Sequence, residues 1–190
     1  RSTALNHRLR DSGAVTNMTE QNEFAEAVRA LLAAHYENVT ARNVVSDSEL
    51  GFSQDVWNAL GEMNVQGLVF AEQYGGLEAS VEDLAAVLAE VGRVLAPEPL
   101  LDAVFLPGFL VERLGTEEQK ERILNAVSTG ELMLAIAHEE YGSRWPSIRV
   151  ETKASGNTLT GVKFPVAAGP SADILVVSAK QEDGSLGLYL

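Results

Sequence analysis

Cysteine is absent from the 190 residues, which removes disulfides, thiolate metal sites and a cysteine nucleophile from consideration. Basic residues are scarce. Fourteen Lys and Arg stand against 27 Asp and Glu, a net charge of −13 that would repel a phosphate backbone, so nucleic acid is not expected as a partner. No uninterrupted apolar run reaches the roughly 20 residues a membrane-spanning helix needs. With 46% apolar residues and a mean hydropathy of +0.01, the chain reads as a soluble globular protein with no membrane partner. A secretory apolar segment is also lacking, which makes a cytoplasmic location the default expectation. Gly75-Gly76 is followed by neither Gly-x-Gly-x-x-Gly nor a Walker lysine and reads as a turn. No His, Asp and Glu cluster has the spacing of a metal site, so no metal is expected. Internal repeats and low-complexity tracts are missing too.

What remains divides into a helical and an alternating part. Residues 1–17 carry Arg1, Arg8 and Arg10 against Asp11 without amphipathic period, and Met18 follows directly; they are expected to lie outside the fold as a disordered or untranslated-leader remnant. Phe24, Val28, Leu31, Leu32 and His35 then recur at helical spacing over about 20–37. Val56, Leu60 and Met63 mark a second helix, whose Trp57 reads as a packing anchor. Ser80 caps a third helix through Leu84, Val87, Leu88 and Val91, with Gly92 closing it. Pro97 and Pro99 enforce an extended link before an apolar segment over 100–114 that Pro107 and Gly108 kink or divide. Thr116 and Gln119 form a capping box for the helix carrying Ile123, Leu124 and Val127.

After Gly130 the period changes to alternation, with Leu132, Leu134, Ile136 and His138 on one side and Met133, Ala135 and Ala137 on the other. Strands over 148–154 and 158–164 flank the turn Ser155-Gly156-Asn157; further strands cover 173–179 and start near Leu186, the last cut short at Leu190. The expected fold class is α+β: an all-helical part over 18–130, then a partial antiparallel β-domain over 131–190.

Several short motifs occur in fixed order: Trp57-x-x-Leu60-x-Glu62, Gly67-Leu68, Glu72-Gln73-Tyr74-Gly75-Gly76, Gly92-Arg93, Pro97, Leu114-Gly115-Thr116-Glu117-Glu118-Gln119-Lys120 and Gly130-Glu131. Together they resemble the amino-terminal helical domain of the acyl-CoA dehydrogenases. Leu159-Thr160-Gly161-Val162-Lys163 and Ala172-Asp173 with its following apolar strand resemble that family's middle domain. The resemblance implies FAD as cofactor, an acyl-CoA substrate, a homo- or hetero-tetramer of such subunits, and an electron-transfer flavoprotein as partner. It also implies a third, helical-bundle domain that this chain lacks and that carries the catalytic Glu in most relatives, so no catalytic residue is assigned here.

For the flavin, the resemblance points to His138, Glu139, Gly142 and Ser143, standing for the family's Thr-Glu-Pro-x-x-Gly-Ser segment, and to Pro165, Val166 and Ala167, standing for Trp-Ile-Thr. His138 replaces a Thr, Glu140 a Pro, Pro165 a Trp and Ala167 a Thr. Two readings stay open: the flavin site is degraded, or Phe164 slides into the aromatic-wall position and backbone N–H groups hold the ring. His138 on its own reads as an end-of-strand imidazole bonded to backbone. Glu139 and Glu140, adjacent on a strand, point to opposite faces and cannot flank one bond. Three functional expectations follow: a dehydrogenase subunit present as its first half, a non-catalytic subunit paired with a competent homologue, or a relative with oxidase or monooxygenase chemistry.

Overall fold

The computed structural model describes residues 12–36, 38, 40, 43, 45, 47–142 and 150–190. Among the described residues the principal helices come first: α1 (Ser12–Tyr36), α2 (Gln54–Glu62), α3 (Val81–Val94), α4 (Leu106–Leu114) and α5 (Glu117–Ser128). Strands β1 (Leu134–Ala137), β2 (Lys153–Ser155), β3 (Thr158–Thr160), β4 (Ile174–Lys180) and β5 (Leu186–Tyr189) follow. α1 begins earlier than the expected residue 20, inside the stretch assigned to a leader remnant; residues 1–11 of that stretch lie outside the described residues.

Local chemistry accounts for the helix ends. Ser80 accepts from the Asp83 amide while the Asp83 carboxylate accepts from the Ser80 amide, and Thr116 and Gln119 repeat the arrangement for α5. Ser53 caps α2 by accepting from the Val56 amide. Gly92 does not close α3. The helix runs on to Val94 and stops where Leu95 takes a left-handed conformation at φ 51°. The segment after Pro99 is divided, as expected: Leu101–Phe105 is a π-helical stretch that passes directly into α4. Gly108 is required there for a different reason from kinking, because a Cβ would sit 2.3 Å from Cζ of Phe70.

Trp57, Phe70, Phe105, Leu60 and Leu124 are fully buried, and Trp57 donates through Nε1 to the Gly130 carbonyl at 2.9 Å, so this residue ties α2 to the end of α5. His35, expected on the inward face of α1, is exposed and bonds to the Leu31 carbonyl; Tyr36, one position on, takes the buried place. Gly75-Gly76 is a turn as read: Gly75 has φ 75°, and a Cβ on Gly76 would lie 1.9 Å from the Phe70 carbonyl oxygen.

The sheet is mixed rather than antiparallel throughout. β1 and β4 run parallel, Leu134 opposite Ile174 and Ala137 opposite Val177, and β2 meets β4 in parallel at Lys153 and Lys180. β2–β3 and β4–β5 are antiparallel hairpins, the first turning at Gly156 with φ 55° as the Ser155-Gly156-Asn157 signal predicts. The physical reason for the correction is connection length: alternation identifies a strand but not its direction, and the long stretch between β1 and β4 is enough for a parallel crossover. Asp173 sets the register of this pair, since its Oδ2 accepts from the Met133 amide at 2.8 Å while its own amide donates to the Met133 carbonyl. Leu134 and Val176 join the same apolar cluster as the helices, so the core crosses the expected boundary at residue 130.

Candidate functional site

The chain leaves β1 through His138-Glu139-Glu140, and the same edge is approached from the other side by residues 161–166. The Phe164 amide donates to the Glu139 carbonyl at 2.8 Å, which joins the two segments expected from the resemblance to face a flavin. Beneath this join lies a charged clasp. Lys163, its side chain 8% exposed, donates from Nζ to Glu140 Oε1 at 2.9 Å, to the His138 carbonyl at 3.1 Å and to Ser178 Oγ at 3.1 Å. All three ammonium donors are thereby satisfied, as a buried lysine requires. Glu140, 14% exposed, also accepts from the Glu151 and Thr152 amides and from the Thr152 hydroxyl. Burial disfavours its charged form, but the Lys163 ammonium and these donors outweigh it and hold the carboxyl at about 2.

The clasp explains the Leu-x-Gly-x-Lys motif physically. A Cβ on Gly161 would come 2.3 Å from Thr152 Oγ1, so only glycine lets the chain pass Thr152 and carry Lys163 to Glu140. Glu140, read from the sequence only as a departure from a proline, is therefore the partner of that motif's lysine. Neither Thr152 nor Ser178 stood out in the sequence. The signal that could have found them is the conjunction of a glutamate just past β1 with Gly-x-Lys some twenty residues on, two charges that must be buried together.

Of the expected cofactor residues, His138, Glu139, Pro165 and Val166 lie at or beside the join. His138 is half-buried and its Nδ1 is 2.9 Å from Ser178 Oγ, a side-chain partner where backbone was expected. The Phe164–Pro165 peptide is cis, Pro165 and Ala167 are exposed, and the Val166 carbonyl accepts from the Gly169 amide. Gly142, with φ 86°, is exposed and has open space where a Cβ would go; Ser143 lies outside the described residues, as do the first positions of the strand expected over 148–154. Tyr141 (87% exposed) and Phe164 (59% exposed) stand with ring centroids 6.4 Å apart, an aromatic pair turned to solvent along the join. A planar heteroaromatic ring fits such a surface, since an uncovered aromatic pair gains by stacking. No side-chain hydroxyl stands at Pro165 or Ala167, and Pro165 has no backbone N–H.

A separate apolar groove of about 280 Å³ runs between α4 and the β4–β5 hairpin, lined by Leu110, Val111, Leu114, Val176 and Leu188. It shares no residue with the aromatic strip. Among the described residues no group of His, Asp and Glu side chains converges as a metal site, and no helix is long and apolar enough to cross a membrane.

Fold and site together define a class: a capped helical half feeding a mixed sheet that carries an exposed aromatic pair along one edge. Residues 18–131 match the family model described as acyl-CoA dehydrogenase, N-terminal domain, and the chain belongs to the acyl-CoA dehydrogenase family of oxidoreductases. It is 30% identical over 169 residues to mitochondrial isovaleryl-CoA dehydrogenase of Bos taurus, covering 86% of this chain and 39% of that protein. A variant of the Tcur3481–Tcur3483 steroid ACAD superposes with TM-score 0.79 at 27% identity, over 90% of this chain and 47% of that one. An acyl-CoA dehydrogenase complexed with FAD from Bacillus anthracis has the same fold, with TM-score 0.80 at 22% identity over 90% of this chain and 30% of that one. The chain thus spans about two fifths of the curated relative it matches.

Proposed function

We propose that the chain supplies the helical half and the first β-portion of an FAD-dependent acyl-CoA dehydrogenase subunit that introduces an α,β double bond into an acyl-CoA thioester. The observation that carries this reading is the join itself: the Phe164–Glu139 hydrogen bond and the Glu140–Lys163 clasp bring together the two segments that the family resemblance assigns to the flavin. FAD, when bound, supplies the acceptor for the β-hydrogen as hydride. The residues of this chain bind and orient. Phe164 and Tyr141 offer ring faces, His138 and backbone amides offer donors, and the 139–142 and 164–167 segments are held at fixed separation by the buried ion pair beneath them. Glu140 is not a base for the α-proton, because its carboxylate is consumed by Lys163, Thr152 and Glu151. The base, the acyl specificity, an electron-transfer flavoprotein as electron acceptor and assembly into a tetramer belong to the same proposal, as does a cytoplasmic location.

A second reading has its own support: a non-catalytic subunit that completes a homologue's site. Pro165 and Ala167 lack the ring and the hydroxyl expected at their positions, and the solved structures of the same fold include the ChsE4–ChsE5 complex from Mycobacterium tuberculosis. Purifying the full-length subunit with and without a co-expressed homologous subunit separates the two. A yellow subunit that reduces an electron acceptor in the presence of acyl-CoA on its own supports the enzyme; a colourless one that turns yellow only in the mixed complex supports the partner role.

A further inference from the structure

The buried hydroxyl of Ser178 has two polar neighbours, Lys163 Nζ at 3.1 Å and His138 Nδ1 at 2.9 Å. An ammonium can only donate, so toward Lys163 the serine oxygen is an acceptor. Among the described residues its single proton then has one acceptor within reach, the bare Nδ1 of His138, and a Ser178 left undirected would be a buried O–H without a partner, which is costly. Lys163 is itself fixed, because its other two donors go to Glu140 Oε1 and the His138 carbonyl. The chain of donors therefore runs one way: ammonium to hydroxyl, hydroxyl to imidazole Nδ1. The proton of the neutral ring is left on Nε2. That nitrogen has no hydrogen-bond partner among the described residues.

We propose that Lys163 and Ser178 lock His138 as the Nε2–H tautomer, so that His138 presents one directed N–H donor at the position where the family resemblance expects a threonine hydroxyl. The ligand class that takes it is a heteroaromatic ring with carbonyl oxygens or ring nitrogens on its edge; that this ring is the isoalloxazine of FAD rests on the function proposed above. His138 is the contacting group, and Lys163 and Ser178 are positioning residues. The substitution of His for Thr is then an exchange of one donor for another rather than the loss of one.

The test is long-range ¹H–¹⁵N correlation on the ¹⁵N-histidine-labelled 190-residue chain, in which only three histidines contribute signals. It is recorded at about pH 8, where an unperturbed imidazole is neutral. His138→Gln assigns the resonance. The expected result is a single tautomer for His138, with proton on Nε2 and bare Nδ1. In Ser178→Ala the two nitrogen resonances move toward each other as the tautomers mix, and in Ser178→Thr, which keeps the hydroxyl, they stay apart. A wild-type His138 protonated on Nδ1, or a tautomer mixture that Ser178→Ala leaves unmoved, overturns the proposal. The wild-type spectrum decides the tautomer alone if the alanine variant fails to fold. FAD retention by the full-length subunit is a separate readout: a locked Nε2–H with no retained FAD sinks the flavin reading and leaves the lock standing.

Discussion

The two halves of this chain are held together by different physics. In the helical half, Trp57, Phe70, Phe105, Leu60 and Leu124 are sealed from solvent, and the capping boxes at Ser80 and Thr116 satisfy helix ends that the core does not reach. In the sheet half β1 and β4 add Leu134 and Val176 to that interior; β3 is exposed along its whole length, and Val162, Phe164 and Tyr141 stand open. What fixes the geometry of that edge is one buried ion pair with its hydrogen bonds. Apolar packing builds the scaffold, and a directional polar network places the exposed aromatic strip. A network can hold two loops at a set separation without covering the surface between them.

That comparison can be broken from either side. Trp57→Ala, in the helical half, removes a fully buried ring and the donor to Gly130, and the expected loss is about 4 kcal/mol, read as a lower denaturant midpoint. Lys163→Met, in the sheet half, leaves the Glu140 carboxylate buried without its cation; the expected loss is about 3 kcal/mol. Hydrogen exchange should locate its effect at residues 138–142, 150–153 and 161–166, with the α2 and α5 amides protected as before. Equal deprotection of both halves by Lys163→Met would erase the distinction.

Buried carboxylates sharpen it further. Glu90 accepts from Arg29 at 2.8 and 2.9 Å and from Arg93 at 2.8 and 3.2 Å, and these cations hold it at about 2, as Lys163 does Glu140. Both groups have folded values below the unfolded one of about 4.3. The stability they contribute is therefore present above that value and lost as pH falls toward 2. Among the described residues no Lys or Arg pairs with Glu98, which is 4% exposed. Its Oε1 accepts from the Tyr36 hydroxyl and the Ser53 amide, its Oε2 has no partner, and burial raises it. Its sign is opposite: its contribution is fullest at low pH and is lost as pH rises through the raised folded value. Tyr36→Phe removes a donor to that carboxylate, with an expected loss of about 2 kcal/mol that is larger at pH 8 than at pH 5. Thermal melts at the two pH values check the difference, and an equal loss at both would contradict the assignment. The smallest expected effect is Thr116→Ala, about 1 kcal/mol for a lost cap, measurable as a drop in melting temperature without change in the sheet's amide spectrum.

The same division explains what could be read from residue order. Helical periods, the Ser80 cap, the Thr116 capping box, the Trp57 anchor and the Gly156 turn were legible because each depends on neighbours a few positions away. His35 was read as inward where Tyr36 is buried instead, because both lie near the edge of the α1 apolar face, where one position of rotation decides burial. The parallel pairing of β1 with β4 was not legible, since alternation carries no direction. The segments around His138 and Phe164 were marked through resemblance, but the clasp was not, because hydropathy registers Glu140 and Lys163 as surface charges and only the fold shows that they share one buried place. Ser178, inside an apolar strand, gave no local sign of its two partners.

The central claim, that this edge receives a flavin, is tested most directly by FAD stoichiometry of the full-length subunit after gel filtration, wild type beside Phe164→Asp. Phe164 is exposed, so the aspartate leaves the core untouched while placing a charge on the ring face. The account predicts stoichiometric FAD on the wild type and its loss from Phe164→Asp with folding unchanged. Retention of stoichiometric FAD by Phe164→Asp, or none on the wild type with or without a homologous subunit, would contradict it.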